Sequence, residues 1–422
     1  MKFEDFSFDP RIEVGIKAAG YETPTPIQAE AIPIVLQGHD LLGLAQTGTG
    51  KTAAFLLPIL QRLTKGPLRQ VRALIVTPTR ELAEQIYQAS FDFGRKTRIR
   101  STAIYGGVSK RPQETALHRG VEIVVACPGR LLDLVGDGSI NLSQVEILVL
   151  DEADRMCDMG FLPDIRRIIK QLPTERQTLF FSATMPNDIR KLADTILNDP
   201  ITVQIGRIAP AKTVSHALFP VPKTLRKKLL LAFLQRTATG RVLVFTRTKR
   251  RAHTLALDLA KRGYRVTSLQ GNMRQSRRQQ AINGYRSGKY DILVATDIAA
   301  RGIDVTEISH VINFDIPDTV DAYTHRIGRT GRAEQTGEAI TFAIPDDAAM
   351  VHDIEKTLKT NLERRRLPDF DYGDFDPETQ FQAKSSPRPK SKQNAPKAHR
   401  GSGHKRPHRG GSKRKPYRRF KD

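Results

Sequence analysis

Cysteine is scarce in this chain. Its 422 residues include only two, Cys127 and Cys157. So few cannot build a disulfide framework, and a zinc site of four cysteines is impossible. Both thiols read as small buried hydrophobes in a reducing compartment. Long apolar runs are missing too; stretches such as Val145–Leu150 are far too short to span a bilayer. The opening segment, Met1–Pro10, holds three Phe and three acids, unlike the basic-then-apolar order of a secretory signal. Acid is short relative to base: 45 Asp and Glu face 68 Lys and Arg, a net charge of +23. That excess points to a polyanionic partner, with nucleic acid the leading candidate. From Lys384 to Asp422 there are fifteen Lys or Arg against one acid, about +14, which leaves about +9 on the rest.

A chain of this length is too long for one ordinary core and suggests two folded domains plus a tail. In the first half, short apolar runs alternate with helical patterns. Ala73–Val76, Ile123–Ala126, Ile147–Leu150 and Thr178–Phe181 read as strands, and Arg80–Phe91 and Pro163–Gln171 as helices. Buried strands separated by helices predict a doubly wound parallel α/β sheet. A Pro-bearing stretch without periodicity, Ile205–Pro222, interrupts the pattern. It then restarts with strand candidates Val242–Phe245, Val266–Leu269, Ile292–Ala295, Val311–Phe314 and Ala339–Phe342. The boundaries expected are a first domain at 1–207, a linker at 208–222, a second domain at 223–366 and a tail at 367–422. The tail, strongly basic from 384, has too little apolar surface to offset chain entropy and is expected to be disordered.

Chemistry first becomes specific at Ala45-Gln-Thr-Gly-Thr-Gly-Lys-Thr52, between the apolar Leu41–Leu44 and the helical Ala53–Leu60. This is the strand–loop–helix setting of a phosphate-binding loop. Thr47, Gly48, Thr49 and Gly50 would turn backbone N–H groups toward phosphate oxygens at a helix N-terminus. Lys51 would reach the β- and γ-phosphates, and the Thr52 hydroxyl would coordinate Mg²⁺. Ala45 stands where the generic pattern has Gly. A second acidic group is needed near the metal, and Val145–Leu150 runs straight into Asp151-Glu152-Ala153-Asp154. Ligands of open α/β sheets gather at such strand ends. Asp151 fits the metal partly through water, and Glu152 fits the base that deprotonates the attacking water.

With the tetrad Asp151–Asp154 in place, the chain resembles the DEAD-box RNA helicases of superfamily 2 over about residues 1–350. That resemblance implies two tandem RecA-like domains, ATP and Mg²⁺ as cofactors, RNA as partner, and RNA-dependent ATP hydrolysis as the reaction. Tyr21-Glu-Thr-Pro-Thr-Pro-Ile-Gln28 is similar to the family's adenine-recognition motif. By it, Gln28 reads the adenine edge, Tyr21 stacks on the ring, and Phe3 is the isolated upstream aromatic. RNA-backbone motifs follow in the family's order: Pro78, Thr79 and Arg80, then Gly107, then Gly129 and Arg130. Cys127 replaces the family's Thr and removes one hydroxyl. In the second half the same role falls to Thr246 and Arg247, to Gly271, Gln275 and Arg278, and to Thr296 and Arg301. Gln270 stands where the family often has His, and Asp304 would hold the ribose. Ser182 and Thr184 would couple ATP state to RNA, with His325 bridging to the acidic tetrad.

His325-Arg-Ile-Gly-Arg-Thr-Gly-Arg332 places Arg329 and Arg332 three apart. Guanidinium groups suit a transferring phosphate, whose charge spreads over several oxygens. The resemblance makes both arginine fingers that arrive when the domains close. ATP and RNA would then bind cooperatively, and bending one strand would displace its partner locally and without processivity. An ATP-gated RNA clamp, with unwinding incidental, would show the same motifs; the DEAD pattern argues against a DNA translocase. The start of the chain, Asp154-Arg-Met-Cys-Asp-Met-Gly-Phe161 and the basic tail resemble bacterial RhlE-type helicases. A cytoplasmic protein of ribosome assembly, cold adaptation or RNA decay is expected on that ground.

Overall fold

The computed structural model describes residues 1–46, 48–205, 214–237, 240–300, 308–330 and 337–376. Seven strands form the first sheet: β1 Leu41–Leu44, β2 Ala73–Val76, β3 Ser101–Ile104, β4 Ile123–Ala126, β5 Ile147–Leu150, β6 Gln177–Ser182 and β7 Ile201–Gln204. Seven more form the second: β8 Val214–Pro220, β9 Arg241–Phe245, β10 Val266–Leu269, β11 Ile292–Ala295, β12 Ile308–Asn313, β13 Gly337–Ala343 and β14 Glu363–Arg364. The orders are β3-β4-β2-β5-β6-β1-β7 and β10-β11-β9-β12-β13-β8-β14. Every recorded strand pair is parallel; β2, for example, runs in register with both β4 and β5.

Composition explains the layering. β2, β4, β5 and β11 are aliphatic and buried at every position. Such strands need cover on both faces, which the crossover helices supply. Leu41, Ile75, Val125 and Val149 look into one layer and Leu74, Val76, Val124 and Leu148 into the other. The edge strand β7 buries only Val203.

The strand order divides the carboxyl edge of the first sheet. The phosphate loop follows β1, the acidic tetrad follows β5, and Ser182 ends β6, so the neighbours β5-β6-β1 collect the residues expected at the nucleotide. The neighbours β3-β4-β2 are followed by Gly106-Gly107, Pro128–Arg130 and Pro78–Arg80. One edge therefore has a half with the residues expected at the nucleotide and a half with those expected on RNA.

Two expected boundaries move. β8 lies inside the stretch read as a linker at 208–222. It pairs with β13 from Val214↔Gly337 to Pro220↔Ala343 and buries Ala217, Leu218 and Phe219. Pro220 is that strand's last residue, and the Val221 N–H beyond it still donates to the Ala343 carbonyl at 2.9 Å, so proline marked the strand's end rather than a linker. The expected disordered tail also starts too early. β14 pairs with β8, and Leu367 and Tyr372 are buried in the second domain's core, with Phe370 and Phe375 against it. Residues 377–422, which hold the basic run, lie outside the described residues. No described helix is long and apolar enough to cross a membrane.

Candidate active site and nucleic-acid interface

The phosphate loop is built around two glycines in left-handed backbone, Gly48 at φ 87° and Gly50 at φ 95°. A Cβ at Gly50 would meet the Gln28 amide nitrogen at 2.4 Å and the Thr25 hydroxyl at 2.8 Å. Both of those groups tie the loop down. Thr25 donates to the Thr49 carbonyl at 2.8 Å, and Gln28 Nε2 donates to the Gly50 carbonyl at 3.0 Å. Gln28 Oε1 accepts the Thr25 N–H at 2.9 Å, closing a capping box on helix Pro26–Leu36. Gln28, expected to read adenine, thus first braces the loop. Phe3 and Tyr21 pack edge to face at 5.7 Å and line a cavity of about 250 Å³.

Lys51 opens helix Lys51–Leu63, with the half-buried Thr52 beside it. Its buried Nζ donates to the Ala45 carbonyl at 2.8 Å. Asp151 is 2% exposed, and its Oδ1 has no hydrogen-bond partner among the described residues. Burial pushes its carboxyl up to about 6, against the pull of Lys51. An unpartnered, desolvated carboxylate oxygen beside a phosphate loop fits a divalent cation, and Thr52 can share it. Glu152 sits in left-handed backbone, φ 54° and ψ 49°, at the N-terminus of helix Ala153–Asp158. Its Oε2 accepts from Arg155 Nη1 at 2.7 Å, both side chains 3% exposed. Strain of this kind persists only where the surroundings over-determine it.

Asp154 faces the end of β6. Its Oδ2 accepts from the backbone N–H of Thr184 at 2.8 Å, from the Thr184 hydroxyl at 3.0 Å and from the N–H of Ala183 at 3.1 Å. Ser182 Oγ accepts the Asp154 N–H at 3.3 Å and donates to the Thr184 carbonyl at 2.7 Å. The acidic tetrad and the Ser182–Thr184 turn therefore form one hydrogen-bonded unit.

Across from it, a narrow cleft is lined by Arg155 of the first domain and by Phe245, Asp297, His325, Arg326 and Arg329 of the second. Burial pushes the His325 imidazole down to about 4, with the Arg155 charge acting in the same direction. Arg326, not singled out from the sequence, is a structural hub. It donates twice to Asp297, at 2.6 and 2.7 Å, and to Asn313 Oδ1 and the Asp315 carbonyl at 3.0 and 2.7 Å. Its guanidinium lies 4.9 Å from the Phe245 ring centroid. Arg329 is buried on this cleft. Arg332, Asp304, Arg301 and Thr47 lie outside the described residues.

Residues expected on RNA line a groove of about 520 Å³. Pro78, Thr79, Arg80, Gly129 and Arg130 come from the first domain, Gly271 and Arg278 from the second. Thr79 caps helix Arg80–Gly94 through Leu82 N–H at 3.3 Å. Gly107 has φ +77°, and a Cβ there would meet the Arg80 guanidinium at 2.1 Å. Arg130 donates to the Val108 carbonyl at 3.3 Å, and its buried Nη1 has no hydrogen-bond partner among the described residues. That orphaned donor suits a phosphate oxygen. Burial pushes the Cys127 thiol on this wall up to about 12, so it stays neutral. Gln275 and Arg278, expected on RNA, reach the buried Glu81 of the first domain at 3.4 and 2.7 Å. Thr246, also expected on RNA, is buried with its hydroxyl toward the Thr248 carbonyl at 3.4 Å. Arg247 is held by its N–H to Asp315 Oδ2 at 2.9 Å and by Nε to Asp318 at 3.1 Å. Thr296 is half-buried just after β11. Sequence reasoning missed Glu81, Arg155, Asp315 and Arg326; their partners are remote in the chain or appear only once the helix forms.

Two RecA-like domains, a phosphate loop with its acidic partner, and arginines facing them from the second domain define a nucleotide-hydrolysing enzyme of the two-domain helicase class. The DEAD/DEAH box helicase pattern matches residues 25–192 and the helicase conserved C-terminal domain pattern residues 224–334. The chain is 41% identical over 370 residues to the DEAD-box ATP-dependent RNA helicase CshA of Geobacillus kaustophilus, covering 87% of this chain and 79% of that protein. It is 44% identical over 351 residues to the RNA helicase CrhR of Synechocystis, covering 83% and 71%. The solved structure of S. cerevisiae Dbp5 bound to RNA and ADP BeF3 is similar at a TM-score of 0.78 and 29% identity, over 86% of this chain and 95% of that one. The chain belongs to the DEAD-box ATP-dependent RNA helicases. As a member it is an RNA-dependent ATPase that works with ATP and Mg²⁺.

Proposed function

We propose that hydrolysis here depends on closure of the two domains around ATP. The observation that carries this is the meeting of Arg155 with His325 and Arg329 on one cleft, beside the Asp151–Asp154 loop. Lys51 and the backbone of Gly48–Gly50 bind and orient the phosphates. Bound Mg²⁺ would draw negative charge off those phosphates, held by Asp151 and Thr52. Glu152 takes the proton of the attacking water, with Arg155 fixing its carboxylate. Arg329, joined by Arg332, balances charge on the transferring phosphate. Asp154 carries the nucleotide state to Ser182 and Thr184, and the groove lined by Arg80 and Arg130 holds RNA by its backbone, without reading bases.

The test is Glu152→Gln. ATP and RNA affinities should stay within about threefold, while turnover and strand displacement fall by about 100-fold or more. Near-normal turnover removes Glu152 from the reaction. Bending of one strand in the groove, and so local, non-processive separation, is the remodelling this arrangement supports.

The Asp154–Phe161 run supports an RhlE-type bacterial role in the cytoplasm, in ribosome assembly, cold adaptation or RNA decay. Crosslinking to cellular RNA and sequencing the fragments tests it; enrichment of neither ribosomal nor messenger RNA rejects it. The basic stretch from Lys384 serves as a nonspecific RNA tether in preference to a protein-docking segment. Its removal should flatten the salt dependence of RNA binding and leave basal ATP hydrolysis intact.

A further inference from the structure

One pole of the first domain carries a cluster that the ATP and RNA sites do not use. β2, β3 and β4 run parallel. The RNA loops follow those strands; the residues that precede them share the opposite pole, about 13 Å of strand away. Arg69 precedes β2, Arg98 and Arg100 precede β3, and Arg119 precedes β4, all four exposed. Arg95 and Lys96 extend the same exposed surface.

The cluster is built rather than scattered. Glu122, 1% exposed, accepts the backbone N–H groups of both Arg69 and Arg100. Arg100 Nη1 donates to the Arg119 carbonyl at 3.4 Å. Gly120 has φ +81°, and a Cβ there would meet the Arg69 Cβ at 2.4 Å. Three loops are thereby tied side by side with their arginines outward. Arg69 itself is held at φ 65°, a left-handed conformation unfavourable for a residue with a side chain.

The charge is not spent within the fold. Glu122 is buried and committed to backbone N–H groups, and Glu146, ahead of β5, already pairs with Arg72 and Arg62. None of the four guanidiniums has an ion-pair partner among the described residues. Arg95 and Arg119 do end helices Arg80–Gly94 and Arg111–His118, where cations are favoured. That does not account for Arg69, Arg98 and Arg100, which enter strands.

We propose that Arg69, Arg98, Arg100 and Arg119 form a second RNA-backbone surface that seats a flank of structured RNA outside the helicase groove. Fork-shaped guanidiniums suit phosphate oxygens, and a row of them tracks a backbone without sequence preference. Such a surface would hold a large RNA close while the groove engages and releases one strand.

The test uses the full chain carrying Arg98→Glu, Arg100→Glu and Arg119→Glu. Two probes are compared: a single strand of about 10 nucleotides, and the same strand joined to a duplex of about 20 base pairs. The duplex-bearing RNA should bind at least roughly tenfold more weakly at low salt, with a log–log salt slope shallower by about 2. The short strand should keep its affinity and its stimulation of ATP hydrolysis. Equal weakening of both probes, or of neither, overturns the proposal. The milder Arg98→Gln/Arg119→Gln protein guards against a folding defect; it should show a smaller loss confined to the duplex probe, and no loss there also overturns it.

Discussion

His325 sits between two charge systems. Burial holds its imidazole neutral down to about 4, and Arg155 and Arg329 reinforce this against Asp154 and Glu152. The unfolded chain takes up that proton near 6.5, so between about 6.5 and 4 the unfolded state binds more protons than the folded one. Stability from this residue is therefore complete above 6.5 and is lost as pH falls toward 4. The expected outcome is a thermal midpoint that drops more steeply between pH 6.5 and 5 in the parent protein than in His325→Gln. Parallel curves would show that the imidazole is not neutralised by its surroundings. At this scale the sequence exposed residues whose chemistry is local, such as Lys51, Asp151 and Glu152. It concealed Arg155, which reads as an ordinary helical cation until the helix turn places it 2.7 Å from Glu152.

Among the elements, the segment Leu367–Asp376 shows how local polarity misleads. It was expected to belong to the disordered tail, yet four apolar side chains anchor it. Tyr372 is 5% exposed, and its hydroxyl accepts the Leu367 N–H at 3.1 Å. Its ring meets Phe370 at 4.9 Å and the Arg366 guanidinium at 5.4 Å. Tyr372→Ala removes this buried ring and should cost the second domain about 3 kcal/mol, read from urea unfolding, with ATP binding by the first domain unchanged. A loss near zero would mean that the segment merely rests on the surface. The central strands were legible for the opposite reason: β2, β4, β5 and β11 are buried on both faces and so are apolar throughout. β3 was not, because Ser-Thr-Ala-Ile is polar and only alternately buried, and β8 was not, because its residues depend on pairing partners far along the chain. β8 owes its place to β13, whose first residue lies more than a hundred positions later.

At the scale of the whole molecule, the question is what couples the domains away from ATP. Arg278 Nε meets Glu81 Oε1 at 2.7 Å, with 8% and 5% of the side chains exposed. Glu81 lies within the run Pro78–Leu82 on one wall of the RNA groove, and Arg278 lines the other. The pair thus links the domains where RNA would lie. Breaking a buried pair leaves an uncompensated charge, at roughly 3–5 kcal/mol, but only in the arrangement that buries it. Glu81→Arg and Arg278→Glu should each therefore weaken RNA binding mainly when an ATP analogue is present. The nucleotide-dependent tightening should fall by roughly tenfold or more. Combining them re-forms the pair with its charges exchanged and should recover part of that tightening. Anisotropy titrations of labelled RNA, with and without the analogue, measure all four corners of the cycle. If the double variant is no better than the worse single one, Arg278 acts on RNA directly, as its motif suggested. If the single variants keep the full tightening, the pair does not couple the sites. Recovery would make Glu81 and Arg278 a link between the domains, through which RNA in the groove favours the geometry that brings Arg329 to ATP.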